Sequence, residues 1–422
     1  MGEDHTAFCV RSVISKVPNV EVTGVEDFDF SVALESVYPL LEIIFNFLNY
    51  NDLQTCCKVK KSWKDIAESI LQKRNKSSWF TCYKTKIKPR RNVFKHSDNL
   101  HYNNVGMGII LYDSRRIKLN KYICVHSNIM ELSRKSVPEY LEEELVPRSI
   151  DYCVISCPQV VSYFDASKDT KDIGLGSILD GIFIPKIPGI RTAMFHCNPV
   201  RKSNIQKSIE PYINANEEVK CLLLFCTTNP NKSIYNLLEY LIPENCASSV
   251  AVGGGIIRGT KTFQQICPAK RIYSSNDTFC IVFLQERYSQ PQFNAFSCVI
   301  YGDDLSKKEF EEELLKFKKQ IILRTDSIAF RICCSAKCDT EEELILFGKV
   351  FPNVPLLGLN ADGEIGWDCI LSTEESDNGE SKAKKSKTKI PQSATSMVYY
   401  SCVGYLGFSA IGIIFYLNAL SS

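Results

Sequence analysis

The 422-residue sequence predicts an α+β protein: a small all-helical unit, then a larger α/β body with mixed sheets. Three observations predict it. Residues 37–74 keep their apolar side chains at helical spacing throughout. Farther along, short apolar runs bounded by glycine and proline alternate with amphipathic helical stretches. One strand–helix–strand plan also occurs twice, at 219–256 and at 327–366, each copy ending in a glycine-rich stretch. A repeat of that kind predicts two similar halves with sheets flanked by helices.

Taken in order, residues 1–34 are mixed in character, acidic at Glu26, Asp27 and Asp29, and are expected to be loosely ordered. Residues 35–80 form the helical unit. Pro39 suits a first helical turn, where its missing N–H is not needed. Leu40, Leu41, Ile43, Ile44, Phe45, Phe47 and Leu48 follow, more apolar residues than one buried stripe can use. Asn51 or Asp52 can cap a second helix over 53–59, and Ser62 a third that carries Trp63, Ile66, Ala67, Ile70 and Leu71 on one face. Units below ~40 residues usually need a partner or a staple, and large open apolar patches mark interaction surfaces. Periodicity leaves two covers open: the rest of this chain, or a foreign subunit.

The body spans 81–422. Its first copy of the repeat is a strand at 219–225, a helix at 234–241 and the run 248–256 with Gly253, Gly254 and Gly255. The second is a strand at 327–333, a helix at 341–350, a proline turn and the run 356–366 with Gly363, Glu364 and Gly366. Between the copies, 278–285 and 295–302 are expected to pair as an antiparallel hairpin, and 309–319 to form a surface helix with Glu/Lys pairs. Residues 372–396 read as a polar insertion whose lysine run (Lys382, Lys384, Lys385, Lys387, Lys389) is a solvated loop. Residues 398–420, beginning at Val398 and ending at Leu420, carry no charge. A span needs ~20 apolar residues, so a membrane tail anchor is one reading. Four tyrosines, three glycines and Asn418 in that stretch favour the other, closing strands of the body over 397–420.

Fifty basic against 48 acidic side chains leave a net charge of +2, which is no footprint for a phosphate backbone, and no nucleic-acid partner is expected. The opening decapeptide has two acids where a secretory signal needs a basic and then an apolar stretch, so the 19 cysteines are expected to be reduced thiols, many of them buried. The close pairs Cys153/Cys157, Cys333/Cys338 and Cys56/Cys57 lack a second half at zinc spacing, and no metal site or cofactor is expected. None of the five histidines falls in a paired metal spacing, and no nucleophile elbow or P-loop is present. Gly174-Leu175-Gly176 begins a dinucleotide fingerprint and then fails at Leu179. Gly253–Gly255 could cradle a phosphate with backbone N–H groups, although a plain turn is the commoner use of such a triplet. Cys334 would need a cationic neighbour to become a nucleophile. No catalytic constellation emerges, and a non-enzymatic role is expected.

Tyr38-Pro39-Leu40-Leu41, Ile44-Phe45, Phe47-Leu48, Asp52-Leu53, Val59, Trp63 and Ile66-Ala67 together resemble an F-box, with Tyr38 replacing the usual leucine and Lys60 the usual cysteine. The glycine-rich 251–255 and the terminal Leu357-Gly358…Gly363-Glu364-Ile365-Gly366 resemble a FIST domain. In that family a Cys-x-Gly-Arg turn follows the strand placed here at 327–333; Cys334 fits it, whereas Ala336 and Lys337 do not. The order of the two modules resembles the family that joins an F-box to a FIST domain. The resemblance implies a substrate-recognition subunit of an SCF-type ubiquitin ligase, docking a Skp-type adaptor and cullin and recruiting a protein substrate for proteasomal degradation in the cytoplasm and nucleus. On that reading Pro39, Leu40, Ile43, Ile44, Leu48, Leu53, Val59 and Trp63 contact the adaptor. Two other roles stand beside it: a sensor of an amino-acid-like ligand held near Gly253–Gly255 or Gly363–Gly366, and a membrane-anchored adaptor.

Overall fold

The computed structural model describes residues 38–84, 92–116, 122–126, 132–147, 150–164, 177–197, 202–227, 232–242, 249–257, 262–266, 269–273, 278–288, 293–300, 305–324, 326–335, 340–369 and 409–415. The expected loose segment 1–34, the fingerprint-like Gly174–Gly176 and the polar insertion 372–396 lie outside them, as do Ala336 and Lys337. The class is mixed α+β.

Three helices open the fold: α1 (Tyr38–Phe45), α2 (Tyr50–Cys56) and α3 (Lys61–Lys73). The expected caps are displaced. Asn49, not Asn51 or Asp52, caps α2, its side chain accepting from the Asp52 N–H at 2.9 Å. Lys60, not Ser62, stands at the start of α3 and makes no side-chain cap there. Leu41, Phe45, Tyr50, Leu53, Ile66, Ala67, Ile70 and Leu71 form a core private to these helices.

Strands then follow almost without helices: β1 (Ser78–Lys84), β2 (Asn92–His96), β3 (Val105–Asp113), β4 (Tyr122–His126) and β5 (Leu132–Ser136). A short helix, α4 (Val137–Tyr140), continues as a π-helical turn over Leu141–Leu145 and leads into β6 (Asp151–Cys157), β7 (Gln159–Val160) and β8 (Ser177–Pro185). Next come β9 (Ile190–Cys197), α5 (Lys202–Ile209), β10 (Glu217–Cys226), α6 (Lys232–Leu241), β11 (Ala251–Ile256), β12 (Thr262–Ile266), β13 (Ala269–Tyr273) and β14 (Thr278–Glu286). The last series is β15 (Ala295–Ile300), α7 (Lys307–Lys319), β16 (Ile328–Cys334), α8 (Thr340–Val350), β17 (Leu356–Ala361), β18 (Glu364–Gly366) and β19 (Ser409–Phe415). Ser306 and Glu309 close a capping box at the start of α7.

These strands build a nine-stranded sheet, β13-β12-β6-β3-β8-β1-β2-β4-β5, and two five-stranded sheets, β18-β11-β10-β14-β9 and β15-β19-β16-β17-β7. The repeat is longer than the sequence predicts. In each copy two parallel strands linked by a helix (β10 and β11 through α6, β16 and β17 through α8) lie beside an antiparallel partner, β14 or β19, and that partner pairs in turn with β9 or β15. A helix between β9 and β10, α5, matches one between β15 and β16, α7.

One expectation fails. Thr278–Glu286 and Ala295–Ile300 do not form a hairpin, because β14 joins the first five-stranded sheet and β15 the second. Two strands adjacent in sequence are an inner strand of the first sheet and an edge strand of the second.

One core unites the sheets. Met107, Ile109, Leu111, Ile155 and Ile182 from the large sheet meet Leu222–Leu224, Ile281, Ile328, Phe330, Leu357 and Leu359. The large sheet's other face, with Phe80, Ile110, Tyr152 and Phe183, is covered by Tyr140, Leu141 and Leu145. Burial on both faces explains why β3 and β8 show no apolar/polar alternation, which one face in water would have imposed.

Candidate functional site

Helices α1–α3 bury only part of their apolar surface. Ile43 and Val59 are each 58% exposed, Phe47 75% and Tyr38 50%, while Pro39 is also exposed. Leu40, Ile44, Leu48 and Trp63 are half-buried, the Trp63 ring standing edge-on to Phe45 at 5.3 Å. Among the described residues, no element of the body seals this surface. Leu53 is a correction to the sequence reading: at 0% exposure it belongs to the private core and cannot meet a partner. Tyr38 and Phe47, part of the F-box-like pattern but not expected as contacts, are open. Lys58, Lys60, Lys61 and Lys64 flank Val59 and give this end a basic rim. Cys56 and Cys57 beside it are not activated thiols. Burial, then the neighbouring Asp52, pushes Cys56 up, and burial, then Glu68, does the same to Cys57.

The junction between the helices and the body is dense in hydrogen bonds. Arg74, just past α3, donates through Nη1 to Leu48 O at 2.6 Å and through Nη2 to Asn46 O at 2.7 Å. The same Nη1 lies 3.4 Å from Tyr102 O, and the guanidinium sits over the Tyr102 ring at 5.6 Å. Tyr50 N–H donates to His101 O at 2.8 Å and Asn104 N–H to Arg74 O at 3.0 Å. Asn103, almost wholly buried, donates through Nδ2 to Lys76 O at 2.7 Å. Sequence reasoning missed Arg74 because its acceptors are main-chain carbonyls, which any residue supplies.

The glycine stretches are not ligand turns. Gly253, Gly254 and Gly255 lie inside β11, between β10 and β18, and only Asp362 and Gly363 turn the chain, from β17 into β18. A Cβ on Gly254 would stand 2.1 Å from Leu224 O, and one on Gly255 2.7 Å from the Ala361 Cβ. Gly363 O is taken by Ile256 N–H at 2.8 Å, and Gly366 and Glu364 are strand residues. At Gly254 and Gly255 glycine serves close backbone packing inside a strand rather than a turn.

Two buried polar clusters elsewhere are held by hydrogen bonds. Arg331 in β16 donates through Nε to Glu343 Oε2 at 3.0 Å and through Nη1 to Asn360 Oδ1 at 3.1 Å, and Asn360 Nδ2 reaches Gln159 Oε1 at 3.0 Å. Asp180 in β8 accepts from Thr81 Oγ1 at 2.6 Å and from Ser177 Oγ, and burial pushes its carboxyl up to about 6. His196 is pushed down to about 4 by burial. Among the described residues the cysteines are free thiols, with Cys334 packed at the end of β16 and Cys226 pushed up to about 12 by burial. No group of three metal-ligating side chains is close enough to hold an ion, again among the described residues.

A hollow of about 510 Å³ lies between the end of α5, the start of β10 and the end of α6. Ile209, Ile213, Val219 and Ile242 line it, with Glu210 and Arg287 among its charged residues. It lies at the amino ends of the parallel strands, opposite the ends where α/β sheets bind ligands. No described helix is long and apolar enough to cross a membrane. No protein-family model and no curated protein matches the chain.

Proposed function

We propose that this chain is the non-catalytic, substrate-recognition subunit of an SCF-type ubiquitin ligase, with helices α1–α3 as an F-box and the duplicated body as a FIST-like domain that recruits a protein substrate. The observation that carries the reading is the open apolar face of the helical unit. It joins exposed Tyr38, Pro39, Ile43, Phe47 and Val59 to half-buried Leu40, Ile44, Leu48 and Trp63. A unit with its own sealed core and a second, uncovered apolar face is built to bury that face against another protein. A Skp-type adaptor would take it, with a cullin beyond. The chain's contribution to ubiquitin transfer is then proximity: it holds a substrate lysine near a charged conjugating enzyme, which needs no catalytic side chain and no cofactor of its own. The cytoplasm and nucleus suit such a role.

The test is reconstitution. Purified chain mixed with a purified Skp-type adaptor and cullin should elute as one complex in size-exclusion chromatography. A folded chain that elutes apart from the adaptor at micromolar concentration refutes the reading.

A further inference from the structure

We infer that Arg74 is a positioning residue that fixes the direction of the open helical face relative to the α/β body. This rests on the ligase reading for its purpose, because a proximity device works only while the two ends it joins keep their geometry. The argument begins with the linker. Only residues 74–77 separate α3 from β1, and the turn over 97–104 binds the carbonyls of three of these four residues. Arg74 O accepts from Asn104 N–H at 3.0 Å, Lys76 O from Asn103 Nδ2 at 2.7 Å and Ser77 O from Asn99 Nδ2 at 3.2 Å. A short linker with three of its four carbonyls engaged cannot swing freely.

Arg74 adds the second point of attachment. Its guanidinium gathers Asn46 O and Leu48 O, which follow the carboxyl end of α1, and closes on Tyr102 of the turn. Carbonyls after a helix end are attractive to a cation. Tyr50 N–H to His101 O ties the start of α2 to the same turn. The end of α1, which bears Ile43, and the loop after it, which bears Phe47, are thus held to the body from two sides. A planar fork with several donors can serve three acceptors at once, whereas a lysine ammonium on its flexible stem cannot hold that plane.

The test uses the full chain with fluorophores introduced as non-natural residues at exposed Glu68 on α3 and exposed Tyr288 on the body, and reads the distance distribution by single-molecule energy transfer. Wild type should give one narrow distribution, and both Arg74→Ala and Arg74→Lys should broaden it. Amide exchange at Tyr50 and Asn104 should quicken at least tenfold, with Ile66–Ile70 in α3 unchanged. Affinity for the purified adaptor should stay within twofold, while ubiquitin transfer to a substrate fused to the body falls. Unchanged distributions in both variants would overturn the inference. So would loss of protection across α3, which would make Arg74 a folding residue only. If wild-type chain ignores the adaptor, the ligase reading fails while the distance comparison still decides the coupling.

Discussion

Gly253 of β11 lies directly across from Gly366 of β18, so the two glycine-rich stretches of the repeat are antiparallel register partners. The second copy thereby closes the sheet edge of the first. Their glycines answer to packing: a Cβ on Gly254 would meet Leu224 O at 2.1 Å. Gly254→Ala should therefore destabilise the body by about 1–3 kcal/mol, the usual cost of overpacking, read as a lower urea midpoint. A midpoint equal to wild type would mean that the strand has open space beside it and would revive the ligand-cradle reading.

The helical face makes a separable prediction. Ile43, Phe47 and Val59 are exposed, so the triple change to aspartate should shift unfolding by no more than about 0.5 kcal/mol per site and abolish adaptor binding in calorimetry. Leu53→Ala should do the reverse in emphasis, costing about 2–5 kcal/mol through a cavity in the private core. Adaptor binding retained by a folded triple variant would place the interface elsewhere.

What was legible in the sequence follows from how local each signal is. Helices α1–α3 and the pairs flanking α6 and α8 are written in nearby residues, through helical spacing and short apolar runs. The split of the apolar face is not: Leu53 and Ile43 look alike in sequence, and only packing sends one inward and leaves the other open. Strand partnership is also non-local. Thr278–Glu286 and Ala295–Ile300 are close enough to suggest a hairpin, yet β14 pairs with Ile190–Cys197 and β15 with Ser409–Phe415. Arg74 left no trace because its acceptors are carbonyl oxygens.

Arg331 and Glu343 are both nearly sealed from solvent. Burial alone would lower the guanidinium pKa, but the pull of Cys333, Glu343 and Glu364 reverses the sign and holds it charged. Glu343→Ala should strand that charge and cost about 3–5 kcal/mol, whereas replacing both Arg331 and Glu343 by methionine should recover most of the loss. Urea titration of the single and double variants checks this. A double variant as weak as Glu343→Ala would show that the pair contributes net stability.

Asp180 predicts a pH effect. Burial raises its carboxyl to about 6 against the opposing hydroxyls of Ser177, Thr81 and Ser162, while an unfolded aspartate titrates near ~3.9. The folded state therefore holds the proton more tightly, and this group's stabilising contribution is full below ~4 and lost as pH rises through about 6. The gap amounts to roughly 3 kcal/mol. Wild type should gain stability over Asp180→Asn as pH falls from about 7.5 to about 5. Parallel curves would remove Asp180 from the account.

The carboxyl-terminal strand separates two roles for the last uncharged stretch. Ser409–Phe415 lies between β15 and β16, pairing antiparallel with both, as Phe415 to Ala295 and to Ile328 shows. Removing it would split the second five-stranded sheet and leave β16 with unpaired N–H and C=O groups facing what had been a neighbour, the kind of open edge that drives aggregation. Truncation after residue 397 should therefore yield a chain that loses cooperative unfolding and aggregates, and adding residues 398–422 back as a separate peptide should rescue it by strand addition. Membrane flotation of the intact chain gives the contrasting measurement. If the truncated protein stays folded and merely leaves a membrane fraction that the intact chain occupied, the stretch is an anchor and β19 is not a structural strand.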